Sequence, residues 1–178
     1  MVTTFHRSLA LGLMLCGCSE DTASTGAVPT GWVQTWADEF DGEAGAAPGA
    51  EWVADVGGDG WGNDQLEFNT DRTDNAFLSG TGELVIRAQR EEYEGNDYTS
   101  ARLTTLGTVD VGPGRVEARI KVPAGTGIWP AFWLLGTDFA DVGWPNCGEI
   151  DILEVRGSTP EQVLTTVHGP GYSGSGGV

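Results

Sequence analysis

Residues Glu149, Ile150, Asp151, Ile152, Leu153 and Glu154 set three carboxylates among large apolar side chains. Closely spaced acids of this kind suit proton transfer and nucleophilic attack at one centre. In a regular strand Glu149, Asp151 and Leu153 would share one face, and Ile150, Ile152 and Glu154 the other. A β-bulge near Ile152 and Leu153 would return Glu154 to the side of Glu149 and Asp151 and leave the apolar side chains for the core. The two glutamates would then sit roughly 13 Å apart at the backbone. Long side chains leaning together on a concave sheet would close much of that gap. Hydrolysis of a glycosidic bond with retention needs two carboxyl groups about 5–5.5 Å apart, one a nucleophile and one a proton donor. Three clustered acids cannot all ionise cheaply, so at least one pKa should rise, which supplies a protonated acid near neutral pH. The hexapeptide alone leaves a calcium site and a solvated acidic edge open as alternatives. Calcium favours loop oxygens with Gly and Asn nearby, whereas Ile and Leu bound this run on a strand pattern.

The elements that must position this strand are short and β-like. The chain has 178 residues, with 28 Gly and 8 Pro, enough turn formers for a loop-rich domain but too few for disorder. In residues 115–122, Val116, Ala118, Ile120 and Val122 alternate with Arg115, Glu117, Arg119 and Lys121, predicting a half-buried strand. Leu84, Ile86 and Ala88 alternate likewise with Val85, Arg87 and Gln89, after a turn signal at Gly80, Thr81 and Gly82. No amphipathic helix of useful length follows the N-terminus. Short strands without a repeat period predict two packed antiparallel sheets.

The surroundings of the acidic strand add a resemblance. Gly127-Ile128-Trp129-Pro130-Ala131-Phe132-Trp133-Leu134-Leu135-Gly136 and Gly143-Trp144-Pro145-Asn146-Cys147-Gly148 lead into it. Trp36-Ala37-Asp38-Glu39-Phe40-Asp41-Gly42, Gly60-Trp61-Gly62-Asn63, Tyr98-Thr99-Ser100-Ala101-Arg102, Gly114-Arg115-Val116-Glu117-Ala118-Arg119 and Val167-His168-Gly169-Pro170-Gly171-Tyr172 complete the series. In this order the blocks resemble glycoside hydrolase family 16, and within it the laminarinase-like endo-β-1,3-glucanases, over nearly all of residues 32–171.

The resemblance implies an all-β fold, a β-jelly-roll sandwich of the concanavalin A-like kind, and a retaining endo-acting hydrolase of β-1,3-glucan. It implies that Glu149 is the nucleophile, Glu154 the general acid/base and Asp151 the partner that tunes the nucleophile. Leu153 marks the bulged version of the motif, since some members carry one residue fewer there. By the same resemblance Trp129, Trp133 and Trp144 line the substrate cleft, where indole faces stack on sugar rings. It makes Asn63 a sugar ligand, against a plain reading as a turn residue. It gives Arg102 a hydrogen-bonding role in the cleft, against a surface charge, and places His168 in support of substrate or acid/base. Trp32, Trp36 and Trp52 are expected in the core.

No cofactor is required, and no His and Cys cluster suggests a metal. The resemblance leaves a structural calcium undecided, with Glu39 and Gly82 where two ligands would lie. Two further readings stay open: a family 16 hydrolase of mixed-linkage glucan or galactan, and a non-catalytic β-glucan-binding protein on the same fold. The family's later strands have no counterpart after His168 to Tyr172, so residues 32–178 are expected to be the N-terminal part of a catalytic domain. By itself this piece is expected to be unstable and inactive, because missing neighbours leave strand edges and an apolar face uncovered.

The first residues read as an address. His6 and Arg7 precede an apolar run at residues 9–15, too short to span a membrane, and then Cys16-Gly17-Cys18-Ser19. Residues 1–17 are expected to be a signal peptide, with residues 15–18 resembling a bacterial lipobox and Cys18 carrying the lipid. Residues 18–31, polar and Pro- and Gly-containing, are expected to be a flexible tether. Ser19 would direct such a lipoprotein to the outer membrane, facing the periplasm or cell surface; ordinary secretion is the alternative. Of the 3 cysteines, Cys147 alone falls in the domain and is expected to pack beside the acidic strand. A formal net charge of −17 excludes nucleic acid as a partner and is compatible with a neutral polysaccharide. A monomer is expected.

Overall fold

The computed structural model describes residues 30–178 and the backbone of residues 2–6. Cys18, the apolar run and nearly all of the tether lie outside the described residues. Among the described residues twelve strands follow one another: β1 (Val2–His6), β2 (Val53–Ala54), β3 (Glu67–Asn69), β4 (Ala76–Leu78), β5 (Leu84–Arg87), β6 (Gln89–Tyr93), β7 (Asn96–Ser100), β8 (Leu103–Thr104), β9 (Arg119–Lys121), β10 (Ala131–Leu135), β11 (Glu149–Glu154) and β12 (Leu164–His168). One short helix, α1 (Phe139–Val142), and a 3₁₀ turn at Gly174–Gly176 are the only helical pieces among the described residues. None is long and apolar enough to cross a membrane.

The strands gather into ladders ordered β4-β5-β1-β9, β10-β11-β12, β2-β8 and β3-β7-β6. All pairings are antiparallel except that of β3 with β7. The first residues of the expected leader thus run as β1, with Thr4 opposite both Val85 and Lys121.

Phe40, Leu78 and Leu84 form a buried core cluster, and Ala46, Trp52, Ile86, Leu103, Ile120 and Phe132 pack around it. Strands from three ladders therefore contribute to one apolar cluster. A buried polar network fastens the ladders at another point: Asn75 Nδ2 donates to Thr99 Oγ1 at 2.9 Å and to the Arg87 carbonyl at 3.0 Å. Thr70 Oγ1 donates to Asn75 Oδ1 at 2.6 Å, so these buried polar groups have partners and tie β5 to β7.

Three sequence expectations need correction. The strand predicted over residues 115–122 shrinks to β9, because among the described residues only Arg119–Lys121 find a ladder partner, in β1. Ala118 is exposed rather than inward. Alternation records which face is wet but not whether a neighbouring strand is there to pair. Trp32 and Trp36 are 50% and 40% exposed, so of the three early tryptophans only Trp52 packs against the core. Trp36 lies edge-on to Trp52, 5.9 Å between ring centroids, as an outer layer over it. Trp52 Nε1 donates to Asp38 Oδ2 at 2.8 Å, which gives its polar edge a partner.

Candidate active site

The middle strand of one ladder, β11, carries the three acids. Against β10 the register pairs Glu149 with Leu135, Asp151 with Trp133 and Glu154 with Ala131, with a shift between Phe132 and Trp133. Against β12 it pairs Glu149 with His168, Asp151 with Thr166 and Glu154 with Leu164, with a shift between Asp151 and Glu154. On the β10 side Leu153 pairs with Phe132 and only Ile152 is skipped, whereas on the β12 side both Ile152 and Leu153 fall between the paired residues. The expected bulge is present there, and Glu149, Asp151 and Glu154 share one face. Ile150, paired with Val167 and Leu134, points the other way and is 48% exposed.

Backbone bonding beyond β10 and β11 fixes what flanks the acids. Val155 N–H donates to the Pro130 carbonyl at 3.1 Å, and Gly157 N–H to the Ile128 carbonyl at 2.7 Å. Gly125 N–H then donates to the Gly157 carbonyl at 2.8 Å. A Cβ on Gly157 would lie 2.2 Å from the Gly125 carbonyl oxygen, so glycine is required for this approach. At the other end Gly136 N–H donates to the Gly148 carbonyl at 3.1 Å, and a Cβ there would meet the Cys147 carbonyl oxygen at 2.0 Å. Trp129 and Trp144 are therefore presented from loops locked to the two ends of the acidic strand. Cys147 is a free, half-buried thiol beside it, as expected.

Each acid has its own partner. Trp144 Nε1 donates to Glu149 Oε2 at 2.6 Å. Trp129 Nε1 donates to Glu154 Oε1 at 3.0 Å. His168 Nε2 lies 3.2 Å from Asp151 Oδ2, with Asp151 only 4% exposed. The His168 ring is also 6.0 Å from that of Trp144. Gly177 packs on the imidazole closely enough that a Cβ would meet Nδ1 at 2.6 Å.

These surroundings move two of the acids. Burial pushes the Asp151 carboxyl up to about 6, helped by the charge of Glu149 and a hydrogen bond to it, and opposed by His168. Burial also raises Glu154, with the charge of Asp151 adding to it, while the Trp129 indole, His168 and Arg156 pull the other way. The expectation that crowding and burial raise at least one acid is thereby met. Such a cluster can hold a proton near neutral pH on one carboxyl while another stays free to attack.

Trp133 and Arg102 form a second group. The Arg102 guanidinium carbon lies 4.7 Å from the Trp133 ring centroid and 4.7 Å from that of Trp61. Its Nε donates to Asp55 Oδ2 at 3.0 Å. Arg102 reaches the acids through Trp133, the β10 neighbour of Asp151. Asn63 closes a turn through its backbone, donating to the Gly60 carbonyl at 2.9 Å, and its side chain is exposed. The structure thus joins Trp129, Trp144 and His168 directly to the acids, brings in Trp133 and Arg102 beside them, and leaves Asn63 apart from the acids, in the turn that carries Trp61. Sequence reasoning missed Asp55 and the separate role of Trp61. Asp55 is 47 positions from Arg102 and lies in no chemical motif, so no local signal could have found it.

Oxygen and nitrogen atoms of Glu149, Asp151 and His168 lie within 4.8 Å of one another, which is the one such grouping of acids, His and Cys among the described residues. A divalent cation would meet two carboxylates and one imidazole there. A cavity of about 370 Å³ lies elsewhere, among Trp36, Asp38, Phe40, Asp41, Glu51 and Leu78, and shares no residue with the acid cluster.

The chain is 42% identical over 171 residues to the beta-glucanase of Rhodothermus marinus, spanning 94% of this chain and 59% of that protein. It is 39% identical over 142 residues to the glucan endo-1,3-beta-glucosidase of Cryptopygus antarcticus, spanning 77% of this chain and 51% of the relative. The chain thus spans little more than half the length of these curated relatives. The catalytic domain of an endo-1,3-beta-glucanase (laminarinase) from Thermotoga petrophila superposes with a TM-score of 0.75 at 44% identity, covering 83% of this chain and 60% of that one. The all-β jelly-roll fold expected from the sequence is the fold of these neighbours. Residues 61–177 match the family described as Glycosyl hydrolases family 16, and to that family the chain belongs.

Proposed function

We propose that this chain is the acid-bearing part of a retaining endo-β-1,3-glucanase. The observation that carries the reading is that Glu149, Asp151 and Glu154 share one face and meet three different partners, Trp144, His168 and Trp129. Three equivalent acids would have one environment; these have three, which is what three roles require.

Glu149 attacks the anomeric carbon, and the Trp144 indole aims its carboxylate. Glu154, raised by burial, carries the proton that passes to the leaving glycosidic oxygen. The glycosyl-enzyme bond to Glu149 then breaks as Glu154 takes a proton from water and the hydroxide adds to the sugar. Asp151 shares a hydrogen bond with Glu149 and accepts a hydrogen bond from His168 Nε2, easing the change of charge on the nucleophile through the cycle.

Trp129, Trp133 and Trp144 form the cleft's aromatic lining, and β-1,3-glucan is the substrate that the names of the relatives support. The apolar run at residues 9–15 and the following Cys16-Gly17-Cys18-Ser19 support export with a lipid on Cys18, facing the periplasm or cell surface.

The test is Glu149→Gln in the full gene product. Turnover of a soluble β-1,3-glucan should fall by at least about a thousandfold, with folding and oligosaccharide binding retained. Near-normal turnover by that variant removes the assignment. A panel of β-1,3-, mixed-linkage and galactan substrates fixes the linkage.

A further inference from the structure

We infer that Asp55 is a positioning residue of the cleft, holding the Arg102 guanidinium between Trp61 and Trp133 so that the two indoles stand as fixed walls for the glucan chain. The inference rests on the glycan-hydrolase reading above and extends it to a residue outside the motifs.

The backbone sets up the contact. Strands β2 and β8 pair Ala54 with Leu103, and one step further Asp55 N–H donates to the Arg102 carbonyl at 2.9 Å. Asp55 and Arg102 are thus neighbours across the ladder, and their side chains meet through the bond from Nε to Oδ2 at 3.0 Å. A guanidinium is planar, so anchoring Nε in the Asp55 carboxylate fixes the plane that the indoles meet. The two rings belong to different parts of the chain. Trp133 is on β10 beside Asp151, whereas Trp61 sits in the Gly60-Trp61-Gly62 turn with a φ of 51° and its Nε1 donating to the Gly57 carbonyl at 3.3 Å. Arg102 is the described link between them.

The pair is partly solvated, with side-chain exposures of 26% for Arg102 and 34% for Asp55. Pairs this open contribute little to stability, so their effect lies in orientation. Without Asp55, Arg102 keeps its charge in a chain of net −17 and has other carboxylates to choose from. The indoles would then lose a common spacer.

The experiment compares Asp55→Ala and Asp55→Asn with the parent protein, all as the full gene product. Asp55→Ala should raise KM for a soluble β-1,3-glucan about tenfold with kcat within about twofold, as expected when a binding surface is lost and the chemistry is not. Asp55→Asn keeps an acceptor for Nε and should recover most of that loss. The melting temperature should stay nearly constant across the set. An unchanged KM in Asp55→Ala overturns the inference, and so does a matched fall in kcat and melting temperature, which would mark a merely structural residue. If the parent itself neither binds nor cleaves β-1,3-glucan, it is the functional reading that fails. The positioning is then judged on the tryptophan emission and near-ultraviolet circular dichroism of Asp55→Ala, where an unchanged spectrum overturns it and an altered one supports it.

Discussion

Trp129 and Trp144 meet the glutamates with their ring edges, through indole N–H bonds of 3.0 and 2.6 Å. Their place beside the acids was legible in the sequence, because each stands in a Gly- and Pro-bounded loop next to a strand of the site. The donor role was not legible, since spacing says nothing about which way an indole edge turns. The same holds for His168. Its motif marked it for the cleft, and the register supplied its partner by putting β12 beside β11. Asp151 yields a prediction at this scale. Its carboxyl is held at about 6 in the fold against an ordinary value of 3.8. The folded state therefore binds the proton more tightly than the unfolded one, and ionised Asp151 opposes folding above about pH 6. That cost falls away as pH drops from 6 through 3.8. Asp151→Asn should accordingly melt higher than the parent near pH 8 and no higher at about pH 3.5, with activity lost at both. Thermal melts at the two pH values check this; an Asn variant no more stable near pH 8 contradicts it.

At the level of elements, the strand that matters most was the most legible. The count of residues between Asp151 and Glu154 demanded an irregularity, and both neighbouring strands shift register there. The strand over residues 115–122 was only partly legible, because its alternation was real but its partners come from elsewhere in the chain. The glycine clamps at the ends of β10 and β11 were visible as glycines but not as contacts. Gly157 tests them. Its absent Cβ leaves room for the Gly125 carbonyl, which a methyl group would meet at 2.2 Å. Gly157→Ala should therefore lower stability by about 1–3 kcal/mol, as overpacking against backbone does. It should also loosen Trp129 from Glu154 by opening the Ile128 to Gly157 contact. Denaturant titration gives the first quantity and tryptophan fluorescence the second; a variant within about 0.5 kcal/mol of the parent would show that the loop yields freely.

Over the whole molecule, composition made the all-β class legible, while the packing of Phe40, Leu78 and Leu84 from scattered segments was not, because it joins residues far apart in the chain. The exposure of Trp32 and Trp36 belongs to the same gap: a hydrophobic type sets a preference for burial, and the neighbours decide whether it is met. A net charge of −17 acts on all of it at once. Shortening the screening length from about 30 Å to about 8 Å by adding salt should weaken the self-repulsion and raise the melting temperature by a few degrees. A melting temperature that falls between 10 and 150 mM salt would mean that favourable ion pairs outweigh the repulsion. The bulge at Ile152 and Leu153 has a meaning for lineage as well as for chemistry. Sides of a sheet follow parity, so a one-residue insertion normally turns everything downstream inside out. Here the irregular pair absorbs the odd residue, and Glu154 stays on the face of Glu149 and Asp151 while Val155 is fully buried. Removing one residue from this pair would leave a regular strand with Glu154 still on the face of Glu149 and Asp151, so a deletion here keeps inside and outside unchanged.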